Sequence, residues 1–156
     1  MNGKNTAFWL LYLVAGVWVQ RFVPGVDVLA PGILVSLQEK RTAQTLWLLL
    51  ILILIQEGSG SFAFGAAILW YTGMLIIYFG GRWMFEAENF LFVSLLGLCL
   101  GGAHLTLINV MQTLQELGEI RKNLPMESLI QVFVFPLVWL LVRHLRKEWA
   151  LHADAV

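Results

Sequence analysis

The sequence predicts an all-α, polytopic membrane bundle of five or six transmembrane helices, one of them short or half-spanning, forming a single integral membrane domain over residues 1–156. Three observations lead there. Hydrophobic residues make up 59% of the chain and charged residues 13%, about half the charged share of roughly 25% that is usual in soluble domains. Residues 46–55 are ten consecutive apolar side chains, so a helix built from them has no face for water and must be enclosed by lipid or by other helices. No segment of about ten residues alternates apolar and polar as a membrane strand would, and unpaired backbone is not tolerated in hydrocarbon.

The first element spans residues 7–23, interrupted only by Gly16, Gln20 and Arg21, with Lys4 ahead of it and Trp9 and Trp18 near its ends. Its apolar run is longer than that of a cleaved signal, and no small-x-small site follows, so it is expected to stay as an anchor. Pro24-Gly25 and Pro31-Gly32 then bracket a connection that contains Asp27. The apolar run after them, residues 33–37, is brief. Even extended to residues 28–38 it covers only ~16 Å at about 1.5 Å per residue, against a hydrocarbon core of about 30 Å. It is either a half-helix that dips in or lies at the interface, or a crossing completed by Glu39-Lys40-Arg41 and the residues beyond them.

Residues 42–57 form a thin span of roughly 24 Å. Gln56-Glu57-Gly58-Ser59-Gly60-Ser61 breaks it, and residues 62–81 come at once, which predicts a tight antiparallel hairpin and the shortest connection in the protein. The next helix, residues 90–112, is reached through residues 82–89, where charges and Trp83 mark an interface. Leu114, Leu117, Ile120 and Leu124 share one side of a helical wheel, so residues 114–124 are either a short helix flat on the membrane or a solvated loop. The last segment runs over residues 126–143. Pro125 suits its first turn and Pro136 should kink its interior.

Lysine and arginine set the orientation. Counting residues 28–38 as a crossing puts Lys4, Lys40, Arg41, Arg82, Arg143, Arg146 and Lys147 on the side of the C-terminus, opposite Arg21, Arg121 and Lys122. If that segment does not cross, Lys4 and Arg21 change places and the ratio of seven to three is unchanged. The excess of positive charge therefore predicts a cytoplasmic C-terminus in either case and leaves the side of the N-terminus open.

The zero formal net charge provides no basic field for nucleic acid. Cys99 is alone, so neither an internal disulfide nor a CxxC site is available. His104, the one histidine inside a segment, has no carboxylate or second histidine at helical spacing to make a metal pair. Gly97, Gly101 and His104 share one helix face, where the glycines permit close approach and the imidazole bonds across it; the alternative is a proton or ligand role for the histidine. Glu57 either snorkels at a helix end or meets a partner protein, and with Ser59 and Ser61 it forms a candidate contact site. No Ser/His/Asp set, P-loop or HExxH occurs. No catalytic, cofactor-binding or metal residue is therefore expected, and the chain is read as a binding protein, with membrane lipids and other membrane proteins as partners.

Several of these features together resemble the rod shape-determining MreD family of bacterial inner-membrane proteins. They are Glu57 ending a long aliphatic helix, Ser59-Gly60-Ser61 followed by Gly65, and a last helix with Pro136 leading into Arg143, Arg146 and Lys147. The similarity is clearest over residues 46–78 and 126–147. Two departures stand against it: the second span is short here, and the acid lies one residue further from the Ser-Gly-Ser pattern. The resemblance implies a non-enzymatic scaffold of the cell-elongation machinery in the bacterial inner membrane, joined to a single-span periplasmic coiled-coil partner and through it to peptidoglycan synthesis. A competing class is the substrate-binding membrane subunit of energy-coupling-factor vitamin transporters, to which a compact six-helix bundle is also similar. Such a subunit implies a polar, aromatic-lined pocket facing outward and small residues at i, i+4 on the first helix, and Ala15-Gly16 lack that spacing. A third class is an accessory subunit of a larger complex.

Overall fold

A computed structural model describes residues 3–23, 25–58, 65–114 and 124–154, without the side chains at 111, 112, 114, 124 and 150–154. Six helices and no strand occur among them: α1 (Gly3–Phe22), α2 (Ala30–Gln38), α3 (Thr42–Gly58), α4 (Ala66–Gly81), α5 (Phe90–Leu114) and α6 (Leu124–Asp154). Two stretches are long and apolar enough to cross a membrane by length and composition, Phe90–Val110 in α5 and Pro125–Trp149 in α6. Thr42–Gly58 and Ala66–Gly81 are shorter apolar helices. Residues 115–123, where a surface helix or a loop was expected, lie outside the described residues.

The chain runs end to end through the bundle. Trp149, late in α6, donates its indole N–H to the Lys4 carbonyl at the start of α1 (3.0 Å), so the beginning of α1 and the last turns of α6 share one end, here the terminal end. Asp27, just past α1, meets Gln131 early in α6, at the distal end. From there α2 runs back, since Gln38 at its close accepts from Trp139 (2.9 Å) and Glu39 from Arg146 (2.6 Å). α3 departs beside Asn5 through Gln44 and reaches Asp27 through Gln56. α4 starts with Trp70 at Asp27, and α5 leaves the terminal end near the Glu88–Arg143 ion pair to arrive at Ser128 through His104.

The short helix is the centre of the core. Residues 30–36 of α2 are all buried, which excludes a helix lying flat on the surface. Around it pack Trp9 and Leu13 of α1, Leu48 and Leu52 of α3, Tyr71 and Met74 of α4, Leu96 of α5 and Phe135 and Trp139 of α6. Such a helix needs no polar face, and the sequence provides none between Ile33 and Val35. Outside, the bundle is apolar: Leu46, Leu50 and Leu54 are exposed on α3, as are Phe133 and Leu137 on α6.

Two expectations on element bounds change. The last helix continues past Arg143 to Asp154, in a stretch of good helix formers held by Arg143, Arg146 and Trp149. The tightest described turn is not the one after α3 but that between α2 and α3, where Glu39, Lys40 and Arg41 reverse the chain with Lys40 at φ +57°.

Candidate functional site

Asp27 is the focus of the distal end. Gly25 and Pro31 keep residues 25–29 from joining α1 to α2: Gly25 takes φ +85°, and Pro31 sits in the first turn of α2 where its missing N–H costs nothing. Val26, Asp27, Val28 and Leu29 are thus both non-helical and buried. Their backbone groups must find partners away from water. Gln131, itself fully buried, accepts from the Asp27 N–H at 2.7 Å and donates to the Asp27 carbonyl at 3.2 Å, as a neighbouring strand would. The Tyr12 hydroxyl accepts from the Gly32 N–H (3.0 Å) and lies 2.9 Å from the Val28 carbonyl.

The Asp27 carboxylate, on a residue 2% exposed, gathers the remaining elements. One oxygen accepts from the backbone N–H groups of Leu29 (2.9 Å) and Ala30 (3.1 Å), fixing the entry to α2, and from Gln20 of α1 (3.2 Å); the Gln56 amide of α3 stands 3.5 Å away. The other accepts from the Trp70 indole of α4 at 2.7 Å. All five are neutral N–H donors. Such a shell suits an anion that belongs to the protein and not a bound cation, which needs lone-pair ligands where these groups offer N–H hydrogens. Among the described residues no three His, Cys, Asp or Glu side chains converge as metal ligands.

The network extends to α5. His104 Nδ1 and Ser128 Oγ of α6 are 3.0 Å apart, and the imidazole meets the Trp70 ring edge-on at 5.7 Å. On the same face, a Cβ at Gly97 would stand 3.1 Å from the Val132 carbonyl, and one at Gly101 3.1 Å from the Ser128 carbonyl as well as in collision with the Val132 side chain. The three residues thus face α6 of the same chain. Glu57 turns inward to its hairpin: its carboxylate accepts from the Gly65 N–H (2.9 Å) and the Ala67 N–H (3.1 Å), capping the positive end of α4. Ser59 and Ser61 lie outside the described residues.

Sequence reasoning singled out Glu57, Gly97, Gly101 and His104, and passed over Asp27, Gln131, Trp70 and Tyr12. A signal was present for two of them. Asp27 is an acid between two Pro-Gly pairs, and Gln131 is a lone amide in an apolar helix, each an expensive group that requires a partner. At the terminal end a second polar cluster joins Asn5, Gln44, Ser36, Glu39 and Arg146, with the Arg146 guanidinium over the Phe8 ring at 5.1 Å. No family model, curated protein or solved structure matches this chain.

Proposed function

We propose that this chain is a six-crossing scaffold of the bacterial inner membrane that binds other membrane proteins and turns over no substrate. The second crossing is made of the non-helical residues 25–29 and the half-helix α2, as broken segments in other membrane folds are when protein encloses their backbone. With both ends of the chain on one side, Lys4 joins the six other basic residues of that side, and the positive-inside rule makes it cytoplasmic.

The observation that carries the reading is where the buried polar groups go. Aromatic residues apart, the nine buried polar side chains among the described residues, Asp27, His104 and Gln131 included, each hydrogen-bond within the chain. Catalysis and transport need polar groups converging on a space that a substrate can enter. Here they converge on one another and make a rigid body with an apolar exterior, which suits lateral association. Within this class, the resemblance to the MreD family supports the cell-elongation machinery and a single-span periplasmic partner, with Ser59 and Ser61, next to Glu57 in the sequence, as contact residues.

Gentle purification from the native membrane is the test. A stoichiometric second membrane protein is expected, lost when Ser59→Ala is combined with Ser61→Ala while the protein stays inserted and folded. Reporters fused before Met1 and after Val156 should both be active only as cytoplasmic fusions. Saturable binding or uptake of a small molecule by the purified protein would instead support the vitamin-carrier class.

A further inference from the structure

At the terminal end the turn between α2 and α3 and the connection between α4 and α5, residues 82–88, border a cavity of about 630 Å³. Lys40 lines it from the first, Arg82, Trp83, Glu86 and Glu88 from the second, and Tyr78 from α4. We propose that this cavity holds a phosphate anion, the headgroup phosphate of an anionic phospholipid in the leaflet at that end. The inference rests on the membrane reading above and on no protein partner.

Charge argues for an anion. Arg143 engages Glu88, and among the described residues neither Lys40 nor Arg82 forms an ion pair. Two cations against the carboxylate of Glu86 leave the cavity positive. They differ in kind: the guanidinium presents a rigid fork of N–H donors and the ammonium a point charge with three, and both suit phosphate oxygens. Lys40 holds its place at φ +57°, left-handed backbone in which asparagine or glycine would be less strained, so its amine is present at a cost to the turn.

A second observation comes from Tyr78. The residue is fully buried, and its hydroxyl finds no hydrogen-bond partner within the chain, although buried hydroxyls are rarely left so. The exposed Arg82 lies over its ring, with the guanidinium carbon 5.8 Å from the centroid. A phosphate that binds this guanidinium brings an oxygen within reach of the hydroxyl and supplies its acceptor. Location argues for a lipid as the source. Ile76, Phe79 and Trp83 follow at i, i+3 and i+7 and are all exposed, Trp83 at 91%, so the outward face of α4 leads to the rim of the cavity. In a membrane that face carries acyl chains, and Trp83 sits where interfacial tryptophans do. The volume suits a headgroup, being within the roughly 300–1,000 Å³ of small-molecule sites.

The purified full-length chain in detergent is titrated with dioleoylphosphatidylglycerol or dioleoylphosphatidylcholine and read by native mass spectrometry, with thermal unfolding of each variant in parallel. Phosphatidylglycerol should bind the more tightly. Arg82→Gln and Lys40→Asn should each weaken its binding about fivefold and leave that of phosphatidylcholine unchanged. Lys40→Asn should meanwhile melt no lower than the parent, because it relieves the turn; Tyr78→Phe should also melt no lower without lipid, yet bind phosphatidylglycerol more weakly. Arg41→Gln, which removes the next charge in the chain from a side chain that does not line the cavity, should bind as the parent does. Equal binding of the two lipids, or a loss in Arg41→Gln as large as that in Lys40→Asn, would overturn the proposal. Displacement of the lipid by inorganic phosphate alone would overturn the lipid as the source while keeping the anion site. Because no partner protein is present, such failures would leave the scaffold reading standing, and loss of the partner in the earlier test would not change the lipid titration.

Discussion

The two ends of the bundle solve the same problem with different chemistry. At the distal end a single carboxylate is enclosed by neutral donors from α1, α3 and α4 and by its own backbone, and the Asp27 main chain is paired with Gln131 of α6. At the terminal end, full charges of both signs meet at partly exposed positions: Arg146 with Glu39, side chains 12% and 23% exposed, and Arg143 with Glu88, 41% and 62% exposed. The distal cluster is out of reach of water and salt, so each lost partner leaves an uncompensated group. The terminal cluster can fall back on solvent. Fold specification therefore concentrates at the distal end, where a broken helix must be held, and the terminal end contributes adjustable contacts.

The largest effect should come from removing the centre of the distal cluster. Asp27→Ala leaves the Trp70 indole, the Leu29 and Ala30 N–H groups and the Gln20 amide without their acceptor. At about 1–3 kcal/mol for each buried donor left unpaired, a loss of at least 3 kcal/mol is expected, enough to prevent accumulation of folded protein. Asp27→Asn retains one acceptor oxygen and should fall between. Thermal unfolding in detergent measures both, and an Asp27→Ala protein as stable as the parent would mean that the cluster holds nothing.

Next comes the α5–α6 contact that supports the same end. Gly101→Leu drives a side chain into Val132 and the Ser128 carbonyl and should cost about 1–3 kcal/mol. Leu95→Ala, on the outer face of α5, should be nearly silent. If the order of these two is reversed in an unfolding series, the close face of α5 has been assigned wrongly.

Much of this was legible in the sequence, for reasons that also mark the limit. All-apolar runs such as residues 46–55 define helices whatever surrounds them, and Gly97, Gly101 and His104 announce a shared face by spacing alone. The break before α2 was legible from Pro24-Gly25 and Pro31-Gly32. Its consequence was not, because what decides whether a nine-residue helix lies on the bundle or in its centre is the presence of partners far away in the chain: Tyr12, Gln131 and Trp70 each satisfy groups between residues 27 and 32. Periodicity registers which face a residue takes and is silent on which distant amide awaits it. Glu57 is a similar case. A carboxylate at a helix end reads equally as a surface group or as a cap, and only the position of Gly65 and Ala67 separates the two.

At the terminal end Arg146→Ala removes the Glu39 pair, the Asn5 contact and the stacking on Phe8 and Trp9. The pair is partly exposed, so solvent screening keeps the expected cost at about 1 kcal/mol. This site also separates the two ends by salt. Raising the ionic strength to about 1 M shortens the screening length to about 3 Å and should remove a good part of the Arg146 contribution while leaving the effect of Asp27→Asn unchanged. Equal salt dependence of the two variants would show that the distal carboxylate is open to solvent after all.

Of the two terminal arginines, the smaller effect is expected from Arg143→Ala. Arg143 bonds both the carboxylate and the carbonyl of Glu88 and lies over the Trp139 ring at 5.1 Å, which by inventory looks as rich as the Arg146 site. The difference is exposure. With both side chains around half in water, Coulomb attraction is damped and two long side chains must be ordered to keep it, so such pairs contribute between about 0 and 0.5 kcal/mol. What remains is the guanidinium over Trp139, worth about 0.5 kcal/mol at an exposed site, and Arg143→Lys, which keeps a cation there but not the two-point hook on Glu88, should retain most of it. A double-mutant cycle between positions 143 and 88 should therefore give a coupling energy near zero, whereas the same cycle between 146 and 39 should not. A coupling above about 1 kcal/mol at 143 and 88 would mean that the terminal end is drier than its exposure suggests, and the contrast between the two ends would be one of composition alone.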